Sequence, residues 1–248
     1  MKKIVLTLPL TLALAACGAA KQTGLDAGDA AKDAGVATKA AAEKVVNYVA
    51  PDVVPQKLKE ASAGNYSLEK NHAFLTTYIS HGGLSQYKMD FTDMKAQIVF
   101  DPSDASANSI SFSVNPLSIT THYPSDYKRG HANSGYESWD EHLAKDGRYL
   151  NGVEFPAITF QSTKVSRSGD YKGKVTGDMA FLGVTKPVTF DIEYHGVGNK
   201  PWWGERDIIG FSAKATINRN DFGMTKAPKS AGEDVKIYFT GEFLQDSE

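Results

Sequence analysis

The chain has 248 residues, of which 41% are hydrophobic and 23% are charged, and its formal net charge is -2. This length corresponds to one or two domains. The chain has no excess of Lys and Arg of the kind that nucleic-acid-binding proteins show, so no nucleic-acid partner is expected. The single cysteine excludes an internal disulfide, a thiolate zinc site and a CxxC redox pair.

The first seventeen residues read as an export signal. Lys2 and Lys3 precede a short apolar run at 4–16, which is well below the roughly 20 residues that span a bilayer. The sequence Leu14-Ala15-Ala16-Cys17 follows and resembles the lipobox of bacterial lipoproteins.

The lipobox resemblance implies that residues 1–16 are removed and that Cys17 is acylated, with chains such as palmitate. Gly18 rather than Asp follows, as in lipoproteins sent to the outer membrane. We therefore expect a lipid-anchored protein of the cell envelope, on the outer membrane and facing the periplasm. The alternative is an ordinary secretory signal in which a cysteine stands by chance.

Residues 17–63 differ in composition from the rest of the chain. Eleven of the 33 residues at 18–50 are alanine. Of the 26 aromatic residues in the chain, only Tyr48 lies before residue 64. Without large apolar side chains, the segment cannot offset its ordering entropy by burial. A helical spacing relates Ala42, Val45, Val46 and Val49, which predicts a partly helical tether with its helix within 27–50. This helix either spaces the next domain from the membrane or docks on a partner or on the membrane surface.

From residue 64 onward apolar and polar residues alternate, which is the pattern of half-buried strands. The alternation is clearest at 74–81, 97–100, 109–114, 158–160, 171–181, 188–194, 211–217 and 235–243. Turn residues stand at 101–102, 168–170, 196–198 and 230–232. Residues 136–144, with Trp139 and Leu143 one helical turn apart, predict one short helix. The pattern predicts an all-β domain at 64–246, arranged as a sandwich or as a closed antiparallel barrel.

Several motifs of this domain carry a family resemblance. In chain order they are NHAF at 71–74, ISHGG at 79–83, SITT at 118–121, DEHL at 140–143, FPAITF at 155–160, GDMAFLGVTKPV at 177–188, PWWGER at 201–206 and RNDFGM at 219–224. Together they resemble the YceI-like family of polyisoprenoid-binding periplasmic proteins over about three quarters of the chain. The resemblance implies an eight-stranded antiparallel, lipocalin-like β-barrel whose lumen holds a long apolar chain.

The resemblance and the strand parity together predict the lumen. An eight-stranded barrel is either filled by side chains or just able to hold one small ligand. The inward positions are rich in Phe, Ile and Val, which suits a hydrocarbon tail better than a polar metabolite. The predicted ligand-binding residues are Leu75, Thr77, Ile79, His81, Phe91, Ile98, Phe112, Phe160, Phe181, Phe190, Phe211 and Phe222.

Three polar residues are candidates for contact with a ligand head group. His81 ends the inward face of its strand, and Arg219 and Asp221 share the parity of Ile217. For Arg219 and Asp221, a salt bridge or a strand-end hydrogen-bond network is the alternative.

Two features depart from the family pattern. Thr77 stands where the family usually has an aromatic residue, which predicts a wider or more polar lumen. The stretch 123–131, within the loop 123–138, is longer than is usual in the family. That loop is either a lid over the barrel mouth or a decorated surface loop.

Neither a metal, nor another cofactor, nor catalysis is expected. His72 and His81 are nine residues apart and His131 and His142 eleven apart, without a further ligand at metal-binding spacing. The sequence has no GxSxG elbow, no P-loop and no GxGxxG after a strand.

These observations lead to a first hypothesis of a membrane-anchored lipoprotein that binds, carries or stores an isoprenoid or fatty-acyl amphiphile. The partners are then the lipid ligand and the membrane, and a homodimer stays open. A second hypothesis is a non-enzymatic envelope interaction or stress protein whose barrel is only a scaffold. A third is an accessory of an envelope enzyme or electron carrier that uses a bound quinone.

Overall fold

The computed structural model describes residues 61–199 and 201–247. The signal at 1–16, Cys17 and the helix predicted within 27–50 lie outside the described residues.

Ten strands make up one sheet. They are β1 (Gly64–His81), β2 (Ser85–Phe91), β3 (Met94–Phe100), β4 (Ser109–Val114), β5 (Ile119–Thr120), β6 (Ile158–Arg167), β7 (Lys172–Phe181), β8 (Val184–Asn199), β9 (Asp207–Asn218) and β10 (Ala231–Gln245). Every pairing is antiparallel, and the order is β10-β9-β8-β7-β6-β4-β3-β1-β2-β5.

The sheet closes because β10 also pairs with β1. Strands β2 and β3 pair with the same edge of β1, β3 along its first residues and β2 along its last. Only Thr92 and Asp93 separate them, so they form one bent barrel strand. The two-residue β5 pairs with the end of β2 and continues β4 along this bent strand. The result is the predicted closed eight-stranded antiparallel barrel, and the sandwich alternative is wrong.

Two short helices lie between β5 and β6, where the sequence predicted one. Helix α1 (Tyr127–His131) begins after Asp126, whose carboxylate accepts from the Lys128 amide at 3.0 Å. Helix α2 (Trp139–Lys145) begins after Ser138, whose hydroxyl oxygen accepts from the Glu141 amide at 3.0 Å. Within the part of the chain that the structure describes, no helix has the length and apolar character needed to cross a bilayer.

One predicted turn is wrong. The glycines at 196–198 suggested a break, but β8 continues through them to Asn199. The register with β9 shifts between Tyr194 and Gly196, and Gly196 has a φ of 127°. Glycine inside a strand often marks such a bulge, because it accepts backbone angles that other residues avoid.

Two groups of loops define the ends of the barrel. We call the end with loops 101–108 and 168–171 the base, and the end with 82–84, 115–157 and 219–230 the top. Near the base a buried cluster includes Tyr66, Ile98, Phe100, Tyr194, Ile209 and Phe243. A second cluster joins strand residues to Leu143, Ala144 and Leu150 of the top connection. The apolar interior therefore continues from the barrel into the helical connection above it.

Candidate functional site: the barrel cavity

A cavity of about 550 Å³ runs through the barrel. Its wall reaches His81 and Ser230 at the top and Tyr171 toward the base. Small-molecule sites usually measure roughly 300–1,000 Å³. The space between the two buried clusters is thus of ligand-binding size.

Most of the predicted lumen residues meet at this cavity. Eleven of the twelve line it, namely Leu75, Thr77, Ile79, His81, Phe91, Ile98, Phe112, Phe160, Phe181, Phe190 and Phe211. Edge-on aromatic pairs organise the wall, with ring centroids 5.1 Å apart for Phe160 and Phe190 and 5.3 Å for Phe112 and Phe239. Strand parity therefore located the wall, while contact with a ligand stays a prediction.

Phe222 is the exception, and its predicted place in the lumen is wrong. It belongs to the short 3-10 helix Arg219–Phe222, which follows β9, and it is buried against Phe181 at a centroid distance of 5.8 Å. It is not among the residues of the cavity wall. The strand alternation ends at Asn218, so parity no longer applies beyond that residue.

Thr77 lies on the cavity wall and is 8% exposed. Its Oγ1 donates to the carbonyl of Met89 on the neighbouring strand at 3.3 Å. Because the hydroxyl is bonded to the backbone, it adds little polarity to the lumen. The structure thus speaks against a more polar lumen at this position, and a wider lumen stays a prediction.

The connection 115–157 supplies the upper part of the wall. Tyr123 and His131 from the loop 123–138, and Trp139 and Tyr149 beside it, line the cavity. Tyr127 holds this group together, since its ring stacks on His131 at 4.5 Å and lies 5.9 Å from Trp139. The loop is therefore part of the wall, which favours the lid over the decorated surface loop.

Behind this wall His142 is the centre of a buried polar network. Arg148 Nη2 lies 2.8 Å and Asp146 Oδ2 3.1 Å from His142 Nε2, and Tyr127 Oη lies 2.6 Å from Nδ1. Burial lowers the pKa of His142, while the neighbouring Asp146 opposes that shift. Hydrogen bonds from Arg148 lower the pKa of Asp146 to about 2. The network thus holds a neutral imidazole beside an ionised carboxylate.

The three head-group candidates lie in different environments. His81 is exposed and lines the cavity at the top. Arg219 is 4% exposed and also lines it. Asp221 is exposed and absent from the cavity wall, because the turn Arg219–Phe222 carries it outward. The structure therefore corrects the predicted inward position of Asp221 and brings Arg219 and His81 to the same end.

Arg219 forms a hydrogen-bond network, and no described residue forms a salt bridge with it. Its Nε donates to the Gly232 carbonyl at 2.8 Å, and Nη2 donates to the Ala231 carbonyl at 3.2 Å. Nη1 donates to Asn220 Oδ1 at 3.1 Å and to the Met224 carbonyl. These bonds tie the 219–230 connection to the start of β10.

Some wall residues escaped the sequence analysis. Ile237 and Phe239 belong to an alternating segment that was recognised as a strand, so parity could have included them. Tyr123 and His131 come from an irregular connection, where no period indicates which side chains turn inward. No group of three or more His, Cys, Asp or Glu with metal-site geometry occurs among the described residues.

Comparison with known proteins agrees with this geometry. The model of the YceI-like domain matches residues 66–243. A UPF0312 protein of Pseudomonas fluorescens is 35% identical over 185 residues, which are 73% of this chain and 88% of the relative. Protein YceI of Salmonella arizonae is 33% identical over 187 residues, 75% of this chain and 89% of the relative.

Solved structures show the same fold. Burkholderia cenocepacia BcnA aligns with a TM-score of 0.56 at 18% identity, over 72% of this chain and 99% of that one. A polyisoprenoid binding domain from Saccharophagus degradans aligns with a TM-score of 0.50 at 10% identity, over 75% of this chain and all of that one. On its sequence match and its closed barrel, the chain belongs to the YceI-like family.

Proposed function

We propose that this protein is a non-catalytic lipid carrier or store of the bacterial cell envelope, which encloses the tail of a long-chain amphiphile of isoprenoid or fatty-acyl type in its barrel. The observation that carries the proposal is the cavity of about 550 Å³ with its wall of Phe, Ile, Leu and Val side chains. Each buried methylene contributes about 0.8 kcal/mol, so a tail of many carbons binds without specific polar contacts.

The family supports this ligand class. Barrels of the same fold include the one described as a polyisoprenoid binding domain, and the motifs of the present chain resemble that group. A flexible tail can follow the cavity from the top toward the base, whereas a rigid polar metabolite would leave its polar groups unpaired against the apolar wall.

The proposal includes an anchor at Cys17. Two or three acyl chains on that residue would hold the protein on a membrane without a spanning segment, because a single chain binds only marginally. We infer that the mature chain is held on the outer membrane and faces the periplasm. The lipobox at 14–17 and Gly18 are the features that support this part.

Native mass spectrometry tests lipid binding directly. The mature chain, exported with a non-lipoprotein signal, is expected to carry a bound lipid that organic solvent extracts and that mass spectrometry identifies. A chain that carries no lipid and that also fails to bind added long-chain amphiphiles would overturn the proposal.

A pair of phenylalanine variants localises the lipid. Ala213 lines the cavity, and Thr216 is exposed on the same strand. We expect Ala213→Phe to reduce the amount of bound lipid severalfold, because the ring occupies the lumen. Thr216→Phe adds the same ring outside and should leave the occupancy unchanged. Equal occupancy in the two variants would show that the lipid lies elsewhere.

A further inference from the structure

Arg219 differs in burial from every other formally charged residue. Among the residues that the structure describes, it is the only Lys, Arg, Asp or Glu whose side chain is buried, and it lies on the wall of the apolar cavity. Buried charges in proteins are normally paired with an opposite charge, because water no longer stabilises them.

The groups that accept hydrogen bonds from Arg219 are neutral, so they do not balance its positive charge. All four acceptors are neutral: the carbonyl oxygens of Met224, Ala231 and Gly232 and the side-chain oxygen of Asn220. None of the ion pairs found among residues 61–199 and 201–247 includes it. A guanidinium has five N–H groups, so one on Nη2 is still available to a further acceptor.

We propose that the amphiphile in the barrel carries an anionic oxygen head group, a carboxylate or a phosphate, which lies at the top of the barrel beside Arg219. This inference rests on the proposed function. His81 and Ser230 line the same end of the cavity and offer further polar contacts. The tail then extends toward the base, along the Phe-rich wall. The positive charge acts strongly on such a head group because the surrounding wall has a low dielectric constant.

Among the residues that the structure describes, none at the base forms a comparable site. Arg167, Lys172 and Lys174 also line the cavity there but are exposed to water. Arg167 donates to the Pro102 carbonyl at 2.7 Å, and Lys174 forms an ion pair with Asp191. Water screens such surface charges, so they discriminate little between charged and neutral ligands.

Matched pairs of ligands test the head group on the unaltered protein. The delipidated mature chain is titrated at pH 8 with hexadecanoate against 1-hexadecanol, and with farnesyl phosphate against farnesol. Affinity is measured by displacement of the uncharged fluorescent probe N-phenyl-1-naphthylamine. We expect the anion to bind at least tenfold more tightly than the alcohol in at least one pair, and that pair distinguishes a carboxylate from a phosphate.

The outcomes separate the two proposals. If each alcohol binds as tightly as its anion or more tightly, the anionic head group is overturned while the lipid-binding barrel stands. If none of the four ligands displaces the probe or binds, the proposed function itself fails.

Variants then test the place of the head group. Arg219→Lys keeps the charge and should keep the preference for the anion, whereas Arg219→Met should reduce it to less than threefold. Arg167→Met, at the base, should leave it unchanged. Circular dichroism and thermal unfolding check the fold of each variant. If Arg219→Met does not fold, Arg219→Gln, which keeps a side-chain donor without the charge, takes its place and should likewise reduce the preference to less than threefold. A preference that persists in a folded variant without the charge overturns the role of Arg219. A preference lost in Arg167→Met would place the head group at the base instead.

Discussion

At the scale of single residues, hydrogen-bond satisfaction decides which polar side chains change the character of the lumen. The Thr77 hydroxyl and the Arg219 guanidinium both line the cavity, and both donate to backbone carbonyls. The hydroxyl has no net charge, so its hydrogen bond to the backbone leaves little polarity for a ligand. The guanidinium keeps its charge whatever the number of its hydrogen bonds. Only Arg219 is therefore expected to influence the choice of ligand.

Substitution of Thr77 by valine tests this distinction. Thr77→Val removes the bond to the Met89 carbonyl, so the free energy of unfolding should fall by about 0.5–1.5 kcal/mol. The affinity for a long-chain probe should change less than twofold, since the hydroxyl is not offered to the ligand. Denaturant unfolding and probe titration measure the two effects. An affinity gain of tenfold would show instead that the hydroxyl polarises the lumen.

His142 should make the stability of the top depend on pH. Burial lowers its pKa in the folded chain, so the unfolded chain binds the proton more readily below the ordinary value of about 6.5. Stability is then full above pH 6.5 and falls as the pH decreases toward the lowered value. The added proton also places a positive charge beside the Arg148 guanidinium.

The variant His142→Gln cannot take up this proton. We expect its melting temperature to fall less between pH 7 and pH 5 than that of the wild type, although it is lower at pH 7. Parallel curves for the two proteins in this range would contradict the assignment. Asp146 acts in a lower range, since its pKa of about 2 means that its contribution is lost only below about pH 4.

At the scale of the elements, strands β6 and β7 approach each other closely at Gly177. Gly177 on β7 pairs with Ser162 on β6, next to a register shift. A Cβ atom at this position would overlap the Gln161 carbonyl oxygen and come within 2.5 Å of Phe160 Cζ. The backbone oxygen cannot move without disturbing the ladder.

Gly177→Ala should therefore lower the free energy of unfolding by about 1–3 kcal/mol. Gly169 is the matched control, because nothing lies within 4 Å of a Cβ atom placed there. Gly169→Ala should leave stability unchanged within about 0.5 kcal/mol. Urea unfolding compares the two variants, and equal midpoints would refute the close approach.

The strands and helices also show which parts of the fold could be predicted from the sequence. Alternation of side chains predicted most of the strands and the lumen face of β1, because a half-buried strand must expose every second residue. It did not indicate β2. It failed at 219–222, where a 3-10 turn replaces the strand, and at Gly196, where a bulge mimics a turn signal. It missed helix α1, a five-residue segment too short for a periodic signal. Local patterns identify regular elements but not the irregular segments that shape the top of the cavity.

At the scale of the whole molecule, anchoring and ligand binding are expected to be separable. Cys17 lies well before the barrel in the sequence, and the described residues that line the cavity all follow residue 74. We therefore expect the anchor to determine the location of the protein. The barrel is expected to determine which ligand it binds.

The variant Cys17→Ala tests this separation in cells that export the protein. Acylation labelled with radioactive palmitate should be lost, while the exported protein should retain the same bound lipid. Label that persists in Cys17→Ala would refute the lipobox assignment. Loss of the bound lipid from a folded variant would show that anchor and cavity depend on each other.

The pairing of β1 with β10 joins the first and the last strand of the barrel. Tyr66 lies opposite Gln245, and contacts so distant in sequence are slow to form. Until β10 arrives, the barrel is an open sheet with two free edges and no enclosed space. If the barrel holds a hydrocarbon tail as proposed, a tail present at that moment would be enclosed as the barrel shuts, whereas a later one would have to pass the loops at the top. The enclosed cavity thus forms only when the last strand pairs with the first.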